Sequence, residues 1–194
     1  MSRSTESPVV GTSRPAGLVL PMRFSWPLAL AAGVALVALS AQIAVPLPFT
    51  PVPMTLQGLA VVLVGGLFGA TAGAASMALY LLLGAFGAPV FAFGAGGLAR
   101  LFGPTGGYLL AFPIAAFITG RVALRGNLPR SCFGALLGMV AIHAAGVAQL
   151  AIITGAPGVA LRDGALPFAA ADLLKVVIAA LVLWRFHAGL RPRG

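Results

Sequence analysis

The sequence predicts an all-α membrane protein with six transmembrane helices, cytoplasmic termini and a broken, outward-facing segment between helices 3 and 4. Hydrophobic residues make up 60% of the chain and charged residues 8%, and the mean hydropathy is +1.05; a soluble domain has about 25% charged residues. Apolar runs of about twenty residues, the length of one span, recur along the chain. The basic residues lie between these runs, so the net charge of +9 indicates membrane topology and no nucleic-acid partner.

The first span follows a polar tail. Residues 1–24 carry three arginines and three prolines, which indicates a flexible cytoplasmic tail. Residues 25–45 are long enough for one span; the alternative is a cleaved signal peptide, because Ala38-Leu-Ser-Ala-Gln42 has the spacing of a cleavage site. The run exceeds a usual signal core and more spans follow, which favours the span. The alternating prolines of residues 46–53 then predict a stiff, extended connection.

Glycine and proline divide the rest of the chain. Residues 54–93 are an apolar block of about two spans, and we place a tight turn at the glycine cluster 69–73. Three more spans are predicted at residues 106–120 (interrupted by Pro113), 131–153 and 167–184, with a loop at 154–166. The membrane domain is therefore 25–187, and residues 188–194 form a second cytoplasmic tail. Small residues four apart predict close helix packing: Gly65, Gly69, Gly73, Gly134 and Gly138.

Basic residues are distributed unequally between the two sides of this predicted topology. Only Arg100 and Arg162 fall on one side, and Lys175 lies within a span. The other nine fall on the side that carries both termini: Arg3, Arg14, Arg23, Arg121, Arg125, Arg130, Arg185, Arg191 and Arg193. The positive-inside rule makes that side cytoplasmic. The proline connection, the broken segment and the 154–166 loop then face outward together.

Residues 84–108 are apolar enough for membrane depth but too rich in glycine and proline for a regular helix. Irregular backbone occurs in a bilayer only where protein covers it or where it lines a cavity. We therefore interpret this segment as the wall or lid of a binding cavity, with a plain interfacial loop as the alternative. Its glycines are not followed by the Lys-Ser/Thr pair of a phosphate-binding loop.

Asp172 and Lys175 stand in the sixth predicted span, where charged side chains are costly and therefore candidates for function. Their i, i+3 spacing places them on one helix face. A carboxylate accepts hydrogen bonds and an ammonium donates them, so the pair suits a urea or amide edge; the alternative is an ion pair that only joins helices. Gln57, near the outer end of the second span, is placed to join the pair; the alternative is a glutamine that caps its helix or packs within the bundle.

Other polar residues give weaker signals. Thr50, Thr105 and Tyr108 are candidates for lining the outer cavity, and Tyr108 is equally plausible as an interfacial anchor. His143 fits a hydrogen-bonded intramembrane histidine better than a proton relay. The two histidines and Cys132 are far apart in sequence, so neither a metal site nor a cofactor is predicted. No catalytic triad and no Walker motif are present, so we predict no enzyme, and ATP-driven work requires another polypeptide.

Four stretches resemble the BioY family, the biotin-binding S components of energy-coupling-factor (ECF) transporters, over residues 25–186. They are Pro48-Phe-Thr-Pro-Val-Pro-Met-Thr-Leu-Gln57, Gly87-Ala-Pro-Val-Phe91, Gly96-Gly97 through Gly103-Pro-Thr-Gly-Gly-Tyr108, and Asp172-Leu-Leu-Lys175. The resemblance implies high-affinity biotin uptake across the bacterial inner membrane. Implied partners are a transmembrane coupling subunit and ABC-type ATPase subunits, besides membrane lipid, while a homodimer is left open.

The resemblance also implies a binding site. Asp172 and Lys175 match the residues that hydrogen-bond the ureido ring of biotin, and the turn formed by Gly94, Ala95, Gly96 and Gly97 matches the binding loop. Some family members carry Asn at the position of Ala95, so this chain lacks one expected hydrogen bond. The small residues Ala31 and Ala35, with Ala29 and Gly33 beside them, match a face that docks the coupling subunit.

Three alternatives to biotin transport remain at this point. An S component for another vitamin would keep the topology but lack the Asp172–Lys175 pair together with the Gly-Pro-Thr-Gly-Gly motif. An intramembrane enzyme would need a nucleophile with a base, or a metal set. A structural membrane protein without a ligand would not explain the charges within the sixth span.

Overall fold

The computed structural model describes residues 25–123 and 127–189. Both predicted tails, apart from residues 188–189, fall outside this range, as do six of the nine arginines assigned to the cytoplasmic side: Arg3, Arg14, Arg23, Arg125, Arg191 and Arg193. The helices are α1 (Trp26–Gln42), α2 (Gln57–Phe68), α3 (Ala70–Ala85), α4 (Ala99–Phe102), α5 (Gly106–Leu110), α6 (Phe112–Ala123), α7 (Leu128–Thr154), α8 (Pro157–Gly164) and α9 (Ala169–Gly189). Short 3-10 turns lie at Ala92–Gly94 and Leu166–Phe168, and two short strands are β1 (Ala44–Val45) and β2 (Met54–Thr55).

The helices pack into one bundle around α2, α6 and α7. Helix α6 lies against α2, α3 and α7, while α9 covers α7 and α2, and α1 covers α3 and α2. Tyr80, Met77 and Leu183 are among the largest side chains that are completely buried. Within the described residues, the fold is therefore all-α apart from one small hairpin, as the apolar runs of the sequence predict.

Glycines allow the central helices to touch along their backbones. A Cβ atom on Gly65 of α2 would overlap the carbonyl oxygen of Ala116 in α6, and one on Gly73 of α3 would lie 2.8 Å from the Cα of Gly65. Gly138 approaches the Thr119 hydroxyl in the same way. Gly69 differs, because its φ of 86° makes the turn between α2 and α3. The predicted close packing and the predicted turn are thus both present.

Several predicted boundaries differ from the structure. Residues 46–53 form the connection of a two-stranded antiparallel hairpin, in which Ala44 pairs with Thr55 and Val45 with Met54. The predicted loop at 154–166 contains α8, which Pro157 opens at a position where proline is tolerated. The fourth predicted span is two helices, α5 and α6, which are separated at Ala111, two residues before Pro113. Helix α9 continues past Trp184 to Gly189.

The small-residue face of α1 divides into two surfaces. Ala29 and Gly33 are buried, and the Ser76 hydroxyl of α3 donates a hydrogen bond to the carbonyl oxygen of Ala29 at 3.3 Å. Ala31 and Ala35 are exposed. Ala29 and Gly33 therefore pack within the bundle, and only Ala31 and Ala35 are free to contact a partner.

Long apolar helices and exposed apolar side chains fit a membrane protein. Within the described residues, Leu128–Thr154 and the nearly continuous Pro157–Gly189 are long and apolar enough to cross a bilayer. The four shorter apolar helices, α1, α2, α3 and α6, have 12 to 17 residues. Large side chains such as Phe86 (89% exposed) and Ile152 (82%) cover the outside of the bundle. The count of six spans stays a prediction.

Candidate functional site

A cavity of about 150 Å³ lies between α9, α7 and the irregular segment that precedes α5. Its walls are mainly apolar and aromatic, and they come from the β1–β2 connection, the start of α2, residues 91–95, α4 to α7, Phe168 and α9. The predicted wall at residues 84–108 therefore does line a cavity. Of the predicted site residues, five line it together: Gln57, Ala95, Tyr108, Asp172 and Lys175.

The charged pair of α9 forms the polar end of the cavity. Lys175 Nζ donates a hydrogen bond to Asp172 Oδ1 at 2.8 Å, and the residues are 8% and 7% exposed. Their i, i+3 positions place both on the face of α9 that packs inward. Opposite charges in contact make the burial of each tolerable, since an unpaired buried charge is costly. The predicted pair is therefore formed, and it faces the cavity.

His143 of α7 is a further polar residue at this end, and the sequence had not connected it with Asp172. Its Nε2 lies 3.0 Å from Asp172 Oδ2, within ion-pair distance, but the contact does not meet the geometry of a hydrogen bond. Asp172 Oδ2 and both ring nitrogens are thus buried without a hydrogen bond. Unsatisfied buried polar atoms are rare in proteins. Beside a cavity, they mark a place where a polar ligand group can supply the missing partners.

Aromatic rings fix the position of His143. The Tyr108 ring meets the imidazole edge to face with centroids 5.8 Å apart, and the Phe168 ring does so at 5.9 Å. The Tyr108 hydroxyl donates to the carbonyl oxygen of Gly164 at 2.7 Å, and the residue is only 8% exposed. Tyr108 is therefore a buried wall of the cavity that links α5 to α8, and the alternative of an interfacial anchor is wrong.

Gln57 is buried at the first position of α2, 6% exposed. Its Nε2 donates to the Tyr80 hydroxyl at 2.7 Å, and Tyr80 donates in turn to the carbonyl oxygen of Val90 at 2.9 Å. This chain of hydrogen bonds joins α2 and α3 to the segment that forms the cavity wall. Gln57 lines the cavity, but its side-chain N–H group already supports the fold.

The predicted binding turn contributes to the cavity mainly through Ala95. The three glycines Gly94, Gly96 and Gly97 are not among the lining residues, whereas Ala92, Phe93 and Ala95 are. Gly94 and Gly97 have φ values of 66° and 94°, and a Cβ on Gly96 would overlap the carbonyl oxygen of Ala88. The glycines are thus required by the backbone path. They hold Ala95 against the cavity.

Two glutamines hold the irregular segment, in roles that the sequence does not predict. Gln42, the last residue of α1, donates from Nε2 to the carbonyl oxygen of Phe91 at 3.2 Å and accepts from the N–H of Gly94 at 3.0 Å. Gln149 of α7 donates to the carbonyl oxygens of Leu101 and Gly103 at 3.0 and 2.8 Å. The sequence signal that could have indicated these roles is a single amide side chain within an apolar run, as at both Gln42 and Gln149.

The cavity has the chemistry of a small-molecule binding site: apolar walls with a few placed polar groups. Within residues 25–123 and 127–189, no three His, Cys, Asp or Glu side chains are grouped as metal ligands would be. Thr105 lines the cavity, whereas Thr50 does not.

Comparison with known proteins identifies the family. The model of the BioY family matches residues 21–192. The chain belongs to the BioY family. It is 41% identical over 154 residues to the probable biotin transporter BioY of Pyrococcus horikoshii, covering 79% of this chain and 91% of that protein. It is 40% identical over 152 residues to the biotin transporter BioY of Thermotoga maritima, with coverage of 78% and 89%.

A solved structure resembles this BioY-family chain along most of its length. The crystal structure of the S component for biotin from an ECF-type ABC transporter superposes with a TM-score of 0.77, at 26% identity, over 84% of this chain and 90% of that one. The bundle is therefore the S-component fold. BioY proteins are transporters rather than enzymes, so the intramembrane enzyme falls away as an alternative.

Proposed function

We propose that this chain takes up biotin as the substrate-binding subunit of an ECF-type transporter, and that the cavity beside Asp172 and Lys175 is its biotin site. The observation that carries the proposal is the buried pair facing an apolar cavity. Biotin has a ureido group at one end of an apolar bicyclic ring. Such a molecule needs hydrogen-bond donors and an acceptor at one end of its site and apolar walls along the rest.

Each polar side chain at the polar end of the cavity has a role in this proposal. The ureido carbonyl accepts from Lys175 Nζ, and the ureido N–H groups donate to the carboxylate of Asp172. The Oδ2 atom can accept such a bond, because it makes no hydrogen bond within the described residues. His143, 3.0 Å from the same oxygen, orients the carboxylate or contacts the ring directly. Ala95 supplies only an apolar contact, so the carboxylate and ammonium carry most of the recognition.

The bicyclic ring lies among the aromatic side chains of the cavity. Phe91 and Phe112 are 2% and 3% exposed and line the wall together with Ile142. Tyr80 stands edge to face with Phe91 at 5.5 Å, which holds the Phe91 ring in place. A rigid apolar wall suits a rigid ligand, because little side-chain freedom is lost on binding.

Uptake also needs a membrane and an energy source. The proposed topology has six spans in the inner membrane, cytoplasmic termini and the cavity facing outward. Because the sequence contains no Walker motif, ATP hydrolysis would come from ABC-type ATPase subunits through a transmembrane coupling subunit. The exposed residues Ala31 and Ala35 of α1 support a docking face for that subunit.

Binding of radiolabelled biotin to the purified full chain tests the ligand. We expect saturable binding that unlabelled biotin abolishes. Lipoic acid is the matched control, because it has a sulfur ring and a similar acidic tail but no ureido group. Failure to bind biotin, or equal displacement by lipoic acid, would contradict the proposal. Displacement by thiamine or riboflavin would favour an S component for another vitamin.

A further inference from the structure

Arg100 is a charged residue of the cavity that the ureido contacts do not use. It belongs to α4, is exposed, and lines the same cavity as Asp172 and Lys175. The C-terminal end of α4 is fixed, because Gln149 of α7 donates to the carbonyl oxygens of Leu101 and Gly103. The backbone that bears the Arg100 guanidinium is therefore fixed beside the cavity.

Arg100 has no acidic partner in the part of the chain that the structure describes. The acidic residues there are Asp163 and Asp172. Asp163 lies 3.8 Å from Arg162, and Asp172 pairs with Lys175. The side chain of Arg100 forms no ion pair, hydrogen bond or cation–π contact within residues 25–123 and 127–189. Its charge is thus uncompensated.

The charges around the cavity sum to one positive charge. Arg100 and Lys175 contribute two positive charges and Asp172 contributes one negative charge. A ligand that carries one negative charge, at the end opposite its hydrogen-bonding ring, would complete this balance. Arginine also binds a carboxylate through two parallel N–H groups, a geometry that lysine lacks.

We propose that Arg100 binds the carboxylate of the ligand and makes the site select molecules with a free acid group. The inference rests on the proposed biotin function, since biotin carries one carboxylate on a flexible tail. The ureido pair holds one end of the ligand, and Arg100 holds the other. Derivatives whose acid is blocked as an amide or ester would lose this contact and bind less tightly.

The test compares biotin with biotin amide, in which an uncharged carboxamide replaces the carboxylate. The parent should bind biotin about tenfold more tightly than the amide, the order expected for a charge-assisted contact that water partly reaches. Arg100→Gln should remove most of this preference and bind the amide as the parent does. Arg162→Gln is the matched control, because Arg162 has a side chain 83% exposed and does not line the cavity.

Two further readouts keep the test decisive. In the parent, raising the salt concentration should weaken biotin binding but leave amide binding unchanged, because ions screen the contact between Arg100 and the carboxylate. The Arg100→Gln variant should not show this difference. Arg100→Lys should retain part of the preference. Two results would overturn the role of Arg100 without contradicting biotin binding. One is that Arg100→Gln keeps the parent's preference for biotin over the amide, and the other is that the parent binds both molecules with nearly equal affinity. A parent that binds neither molecule would overturn the proposed function and this inference with it.

Discussion

Asp172 makes a different contact through each of its carboxylate oxygens. Oδ1 accepts from Lys175 at 2.8 Å, whereas Oδ2 lies 3.0 Å from His143 without a hydrogen bond. The first contact neutralises the buried charge, and the second leaves an acceptor unsatisfied. A buried acceptor without a partner costs about 1–3 kcal/mol, so a ligand that donates to it gains from relieving that cost.

Asp172→Asn and Lys175→Met should each weaken biotin binding at least about tenfold, which corresponds to about 1.4 kcal/mol. Asparagine keeps the size of the side chain but removes the charge, and methionine keeps the stem of lysine without its donor. Binding of radiolabelled biotin to purified, monodisperse variants measures the effect. Arg162→Ala should bind nearly normally, because a hydrated surface charge contributes little. Parent-like binding by both folded variants would make the pair purely structural.

Gln42→Leu should loosen the segment that carries Ala95. The substitution removes the donor to the Phe91 carbonyl and the acceptor for the Gly94 N–H. We expect faster hydrogen exchange at residues 91–97 and biotin binding weaker by about fivefold, the order of one or two lost hydrogen bonds. Ser40→Ala is the control, since the Ser40 hydroxyl donates to the carbonyl oxygen of Val37 within α1 and does not contact the segment. Unchanged exchange at 91–97 would show that Gln42 does not hold the segment.

The sequence predicted the charged pair but missed its neighbours for a physical reason. Asp172 and Lys175 are conspicuous because charges in an apolar run are costly, and their contact follows from helix periodicity. The contact of His143 with Asp172 spans 29 positions, and that of Gln42 with Gly94 spans 52. No local pattern encodes such distances. They depend on how α1, α7 and α9 pack.

Helices α2, α3 and α6 meet where glycine leaves room for a neighbouring backbone. Gly65 contacts Ala116 of α6 on one side and Gly73 of α3 on the other. The four-residue spacing of the glycines predicted this close packing. The sequence did not predict α8, because Pro157 and Gly158 are typical of a loop. In the structure α8 packs against α7. Proline at its first turn is compatible with either structure.

Gly65→Ala should destabilise the folded chain by about 1–3 kcal/mol, the usual cost of overpacking a filled core. The added methyl group would overlap the Ala116 carbonyl, which is backbone and cannot rotate away. Thermal unfolding in detergent, followed by loss of the monodisperse peak, measures the change. Gly158→Ala is the matched control, because nothing lies within 4 Å of its Cβ position in α8. Equal stability of the two variants would contradict close packing at Gly65.

The complete bundle presents an apolar outside and a cavity enclosed by segments distant in sequence. Residues from the β1–β2 connection, α4 and α9 meet around it. If the cavity opens outward, the β1–β2 connection and the α4 region lie on the outer side. The start of α7 then lies on the inner side. The unequal distribution of arginines supports the same orientation.

Cysteine labelling tests this orientation in a Cys132→Ser background. Phe49→Cys, exposed in the β1–β2 connection, should react with a membrane-impermeant thiol reagent added to intact cells. Asn127→Cys, exposed at the start of α7, should react only after the membrane is opened. Asn127 is preferable to the nearby Ser131, which is completely buried. Labelling of the Asn127 variant in intact cells would contradict cytoplasmic termini and six spans.

Ala31→Trp combined with Ala35→Trp should prevent co-purification of the proposed coupling subunit and leave biotin binding intact. Both alanines are exposed, and two indole rings would keep a partner helix away from α1. The matched control is Ala144→Trp with Ala148→Trp, an exposed pair with the same spacing on α7. Co-purification with the α1 variant at the level of the parent would move the docking surface elsewhere.

Gln42 gives α1 a second role besides carrying Ala31 and Ala35. The Gln42 amide bonds to the backbone of Phe91 and Gly94 in the cavity wall. A docked subunit that displaced α1 would therefore move Gln42 and disturb these hydrogen bonds. Thermodynamic reciprocity then applies: any factor by which the subunit changes the affinity for biotin is the factor by which biotin changes the affinity for the subunit. Through α1, the coupling subunit would distinguish the biotin-bound chain from the biotin-free chain without contacting biotin.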